Sequence, residues 1–176
     1  MVLWVLSTLA LLSLAFVGHA AMYGGLRGAA QRGNHMLHLL AAAGWLGGLW
    51  PLLLSLRGLT RPRLRPEVLR ALMAYSRCDH LWVALVILTG VGNTFLVLGH
   101  WPVALGQPYS RMLVIKILAV GAMVLLALTN RYRIVPTMRI DEARAIKRLT
   151  RLTLTEIALG GLTLMLVSVF AMLETQ

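Results

Sequence analysis

Five stretches of roughly 20 mostly apolar residues, separated by charged or glycine-rich connections, leave this chain few ways to fold. They run Val2–Met22, Asn34–Leu56, Leu81–Leu98, Met112–Asn130 and Leu152–Leu173. A helix rising ~1.5 Å per residue needs about that length to cross ~30 Å of hydrocarbon. Backbone polar groups in lipid must pair internally, which only helices and closed barrels achieve, and the period-two alternation of barrel strands is absent. The pattern predicts an all-α integral membrane protein, a single transmembrane domain over residues 1–176 built as a bundle of about five helices. With their flanking turns the helices are expected at about 2–22, 34–56, 66–98, 112–130 and 142–173. A hydrophobic content of 59% agrees, and the charges are clustered between apolar runs rather than spread along the chain.

The clusters set the expected orientation. Of the 17 Lys and Arg, six lie from Arg57 to Arg77 and seven from Arg131 to Arg151. These are alternate connections of a five-helix chain, and cytoplasmic loops carry the excess of Lys and Arg. Both connections and the N-terminus are therefore expected in the cytoplasm, with the 23–33 and 99–111 connections and the C-terminus outside. Arg27, Arg32 and Arg111 run against the rule but are outnumbered. The net charge of +11 then reads as attraction to anionic lipid head groups, not as a nucleic-acid footprint.

The first segment reads as a membrane helix rather than a cleaved signal. It has no basic flank, its apolar run exceeds the roughly 7–15 residues of a signal core, and no clean cleavage site follows. The missing basic flank before Val2 fits a chain that has lost upstream helices. The single cysteine, Cys78, excludes an internal disulfide and any multi-cysteine metal site, and reads as a packing residue.

Local punctuation refines the boundaries. Gly24, Gly25, Gly28 and Gly33 are expected to break the first connection, making the first two helices antiparallel neighbours. Pro66 suits the first turn of the third helix, which begins before its apolar stretch. Asp141 and Glu142 suit a helix N-terminus. Gly44 and Gly48 form a small-xxx-small pair that lets another backbone approach the second helix.

Ionisable residues within a bilayer are costly and mark function. His19 stands one turn before the outer end of the first helix, with Met22 and Tyr23 on its face. The second helix returns from outside with His35 and His38 in its first turns and Trp45 further along the same stripe. His19 and His38 would then lie at similar depth on neighbouring helices, a geometry that can hold one metal ion. Imidazole suits copper, zinc, nickel and haem iron, and thioether selects Cu(I) from that set. Met22, Met36, Met112 and Met172 gather at outer helix ends, and the only carboxylate near them is Glu174. Copper fits these residue types best, with His19, His38, His35, Met22 and Met36 as candidate ligands. Two histidines on antiparallel helices also hold b-type haem, with Trp45 and the glycines making room for a porphyrin, so haem b stays open as a rival. In a third reading the histidines are merely interfacial and the chain is a non-catalytic subunit of a membrane complex.

Asp79, His80 and Glu156 fall at the cytoplasmic level, where interfacial solvation is expected and a relay is the alternative. Lys116 is expected to snorkel outward or meet a buried acceptor. Thr89, Asn93 and Thr94 read as interhelical hydrogen-bonding groups. No G-x-S-x-G, H-E-x-x-H or Walker motif occurs and no paired intramembrane carboxylates are evident, so no enzyme is expected.

The run from His35 to Leu49, His-Met-Leu-His-Leu-Leu-Ala-Ala-Ala-Gly-Trp-Leu-Gly-Gly-Leu, resembles the hallmark helix of the copper resistance protein D (CopD) family. Gly18-His19-Ala20 is similar to the helix that family carries just before it. Tyr75-Ser76 stands where the family tends to have Phe-Ser, ahead of Thr89-Gly90. Tyr109, Lys116, Asn130-Arg131 and Pro136 resemble the next block, and Glu156 with Gly160 the last. The blocks keep the family's order over nearly the whole chain, although members are usually longer, with further helices upstream. The resemblance implies a multi-pass protein of the bacterial inner membrane in copper homeostasis, moving copper from periplasm to cytoplasm, often beside a periplasmic copper-binding CopC partner. It implies His19 and His38 as copper ligands; His35, Met22 and Met36 rest on the depth argument alone.

Overall fold

The computed structural model describes residues 2–16, 24–61, 63–98, 108–138 and 140–173. Helix α1, Val2–Ser13, continues as a 3-10 turn to Phe16; α2 is Gly25–Leu56, followed by a 3-10 turn Arg57–Thr60; α3 is Arg65–Leu98. Helix α4, Pro108–Thr129, runs through a π-helical segment, Asn130–Ile134, into the short α5, Val135–Thr137, and α6 is Glu142–Leu173. No strand occurs among the described residues. Among the described residues, four stretches are long and apolar enough to cross a membrane: Gly25–Leu59, Arg65–Leu96, Ser110–Thr137 and Glu142–Ser168. Val2–Phe16 is apolar but shorter, and the remainder of the expected first helix lies outside the described residues. Large apolar side chains on these helices face outward, with Leu88 68%, Leu118 67% and Met165 67% exposed, as helices solvated by lipid require.

Helix α2 begins at Gly25, not at Asn34 as the glycines suggested. Among the described residues only Gly25 takes the left-handed backbone, at φ 63°, and it forms the start of the helix; Gly28 and Gly33 are helical. A helical glycine costs ~1 kcal/mol relative to alanine. Burial along one stripe, Gln31, Ala41, Trp45, Leu49, Leu53 and Leu56, outweighs it. His38 therefore stands ~20 Å along the axis from Gly25 rather than in the first turns.

The fourth helix also outruns its expected end at Asn130. Pro136 has no N–H and its ring clashes with the carbonyl four residues back. The chain answers with a wider turn, in which the Val135 N–H bonds to Asn130 O. Asp141 caps α6, its Oδ1 accepting from Arg144 N at 3.0 Å, in keeping with the expected acidic start.

Packing divides the chain into two compact units, Met1–Trp45 with His80–Val103, and Leu46–Asp79 with Ala104–Gln176. In the first, the Trp82 ring lies against Gly44, where an added Cβ would come within 2.7 Å of it. The second has an apolar core of Leu56, Leu59, Ile134, Ala145 and Leu149, extended by Val68, Leu72 and Ile146. In that unit the Tyr75 ring fills the space over Gly48, and Gly160 packs against Leu46 and Met123. Gly44 and Gly48 therefore seat aromatic rings, where the small-xxx-small spacing suggested a neighbouring backbone.

Candidate functional site

In the first unit a polar layer joins α2 to α3. Asn34 Nδ2 donates to Thr89 O at 2.9 Å and to Asn93 Oδ1 at 2.8 Å. Asn93 Nδ2 lies 3.5 Å from His35 Nδ1, and His38 Nδ1 lies 2.8 Å from Thr89 Oγ1. Glycines make the approach possible, since a Cβ on Gly92 would sit 3.0 Å from Asn34 Oδ1 and one on Gly90 3.5 Å from His38 Cε1. Thr89 and Asn93 are the interhelical groups the sequence suggested; the Thr94 hydroxyl instead donates to Gly90 O within its own helix.

The buried Thr89 hydroxyl reaches both Leu85 O, within its own helix, and His38 Nδ1. A threonine bonded to one ring nitrogen holds the imidazole in place, as ligating histidines are commonly held.

Of the sequence-derived ligands, His35 and His38 share this layer. Met36, one position from His35 and two from His38, projects in another direction on the helix and does not join them. His19 and Met22 lie outside the described residues, as do His100 and Glu174. Among the described residues no group of three His, Cys, Asp or Glu side chains is placed to hold a metal ion. The room the glycines were expected to leave for a porphyrin is occupied in part by the Trp82 ring at Gly44, the Tyr75 ring at Gly48 and His38 at Gly90. Trp45, on the histidine stripe, is 2% exposed, and its Nε1 has no hydrogen-bond partner among the described residues.

The second unit holds a cluster that sequence reasoning underrated. Glu156 is 2% exposed, not solvated at an interface. Its Oε1 accepts from Asn130 Nδ2 at 2.6 Å, across from the π-helical segment. The wider turn that accommodates Pro136 thus contains the residue that meets the carboxyl. Asp79, half-buried on α3, accepts from Tyr75 OH at 3.3 Å and interacts electrostatically with Glu156. Arg131 Nη1 donates to Ser76 O at 2.9 Å. Asp79 and Glu156, far apart in sequence, are thus two like-charged carboxyls of one unit that act on each other electrostatically. Thr153 and Glu156, about one turn apart on α6, were the available signal. Lys116 is half-buried and has no hydrogen-bond or ion-pair partner among the described residues.

Residues 69–170 match the family model of copper resistance protein D. The chain is 39% identical over 172 residues to the inner membrane protein YebZ of Escherichia coli (strain K12), across 98% of this chain and 59% of that protein. It is 35% identical over 136 residues to the copper resistance protein D of Pseudomonas syringae pv. tomato, across 74% of this chain and 43% of that protein. It therefore spans about half the length of these curated relatives. No solved structure matches it.

Proposed function

The chain belongs to the copper resistance protein D family and is a multi-pass protein of the bacterial inner membrane; from that premise we propose that it binds copper as cargo at its periplasmic side and passes it toward the cytoplasm. The observation that carries this reading is the His38–Thr89 pair, which holds in place one imidazole, a ligand type suited to a soft or borderline metal. His35 is the second imidazole of the layer, and His19 supplies a third from outside the described residues. In this reading the protein is a carrier and not an enzyme, and a periplasmic CopC-like protein delivers the ion. The polar layer of Asn34, Thr89 and Asn93 gives a desolvated ion hydrogen-bonding surroundings within an apolar bundle.

Copper is to be quantified on the purified full chain, alongside His38→Ala, His35→Ala and His19→Ala/His38→Ala variants. The expected result is copper bound to the wild type and lost from the double variant. Equal copper in both would sink the proposal. A visible spectrum of the same samples covers the haem alternative, since a Soret band that disappears in the double variant would transfer the histidines to haem. The filling of the glycine positions by rings speaks against that outcome.

A further inference from the structure

We propose that Glu156 carries a proton in the folded protein, shared with Asn130 as a two-bond acid–amide pair, and that this buried proton exchanges by way of Asp79. The inference rests on the second unit alone and does not depend on the copper reading.

Glu156 is enclosed, at 2% exposure, and its one hydrogen-bond donor is a neutral amide. No Lys, Arg or His forms a salt bridge with it among the described residues; Arg131, the nearest basic residue of the cluster, is turned to Ser76 O. The charged group that faces it from α3 is Asp79, of the same sign, with the Tyr75 hydroxyl beside it. From its own helix Thr153 and Gly160 adjoin it at helical spacing, and neither is ionisable. Burying a carboxylate charge without a cation costs several kcal/mol, and a proton removes that charge.

Asn130 supplies the independent observation. It is 7% exposed, its Nδ2 donates to Glu156 Oε1, and its Oδ1 is buried with no hydrogen-bond partner. An amide that binds one oxygen of a carboxyl through the N–H syn to its own oxygen can bring that oxygen to the other carboxyl oxygen. A proton on Oε2 provides the donor that Oδ1 lacks, giving two bonds where the carboxylate gives one. Thr153, 0% exposed and one turn before Glu156, adds a second buried oxygen without a partner. A bound metal ion explains the cluster less well, since no three metal-binding side chains gather there among the described residues.

The exchange step moves a single proton. Asp79, half-buried, takes a proton from water and becomes a carboxylic acid; the proton passes to the Glu156 carboxylate, and Asp79 returns to its charged form. The reverse sequence releases it. The Tyr75 hydroxyl, donating to Asp79 Oδ1, holds that carboxyl in place.

Infrared difference spectroscopy on the full chain in nanodiscs, without copper, reads the proton directly. At neutral pH the C=O stretch of a protonated carboxyl is expected, absent in Glu156→Gln and moved to higher frequency in Asn130→Ala, where the hydrogen bonds are gone. In Asp79→Asn the band should remain but exchange more slowly in deuterated buffer. Glutamate carrying carbon-13 moves the band in the wild-type chain, whereas labelled aspartate leaves it in place, so the assignment survives a variant that fails to fold. No protonated carboxyl at neutral pH, or a band that follows labelled aspartate, would overturn the proton on Glu156. Wild-type exchange in Asp79→Asn would overturn the route.

Discussion

The Thr89 hydroxyl lies within hydrogen-bonding distance of both Leu85 O and His38 Nδ1. Replacing it with the isosteric valine keeps the packing and removes the bond that holds the imidazole. Outer partners of ligating histidines typically contribute 10–100-fold to metal affinity. Thr89→Val is therefore expected to weaken copper binding by roughly that factor, measured by competition with a chromophoric chelator, while the unfolding temperature changes little. An affinity equal to wild type would leave His38 without a role as ligand. His35 and His38 were legible in the sequence as an i, i+3 pair at the head of a long apolar run. Their partners Asn34, Thr89 and Asn93 were not legible as partners, because a hydrogen bond between residues over fifty positions apart depends on how two helices are rotated.

At the level of helices, the glycines separate into those that admit a side chain and those that do not. A Cβ added at Gly44 would lie 2.7 Å from the rigid Trp82 indole, one at Gly160 2.5 Å from the flexible end of Leu46, and one at Gly47 would meet nothing within 4 Å. Overpacking a rigid contact typically costs ~1–3 kcal/mol. Gly44→Ala is expected to lower the unfolding temperature clearly and Gly160→Ala less, whereas Gly47→Ala, helical and unobstructed, is expected to raise it slightly, as followed by thermal unfolding in detergent. Equal effects at the three positions would mean that Gly44 is not a ring seat. The boundaries of α3 and α6 could be read ahead of the structure from Pro66 and from Asp141-Glu142. The start of α2 and the end of α4 could not, because Gly28, Gly33 and Pro136 are turn residues by propensity and helical here through packing and a π turn.

For the molecule as a whole, the segregation of Lys and Arg carries an orientation that is open to a direct test. In a Cys78→Ala background, a cysteine introduced by Arg27→Cys is expected to react with an impermeant maleimide on intact spheroplasts. One introduced by Arg63→Cys is expected to react only after permeabilisation. The opposite pattern would reverse the proposed direction of copper movement. The basic connection also borders an open surface groove lined by Leu54, Ser55, Arg57, Gly58, Arg61, Leu64 and Val68. Each basic residue near an anionic surface contributes ~1 kcal/mol. Arg57→Gln/Arg61→Gln is accordingly expected to reduce the anionic lipid that copurifies, as read by native mass spectrometry of nanodiscs. Unchanged lipid would assign the arginines to contacts within the protein.

The amino-acid sequence by itself determined that this chain is helical and membrane-embedded, because bilayer thickness and the need to pair backbone groups admit no other use of such long apolar runs. It also determined the family, through short blocks whose order survives along the chain. Only the tertiary structure decided which polar side chains meet. The bonding of His38 to Thr89 and of Glu156 to Asn130 follows from helix rotation and from one widened turn. Those are fixed by the summed packing of many side chains, a quantity no local motif encodes.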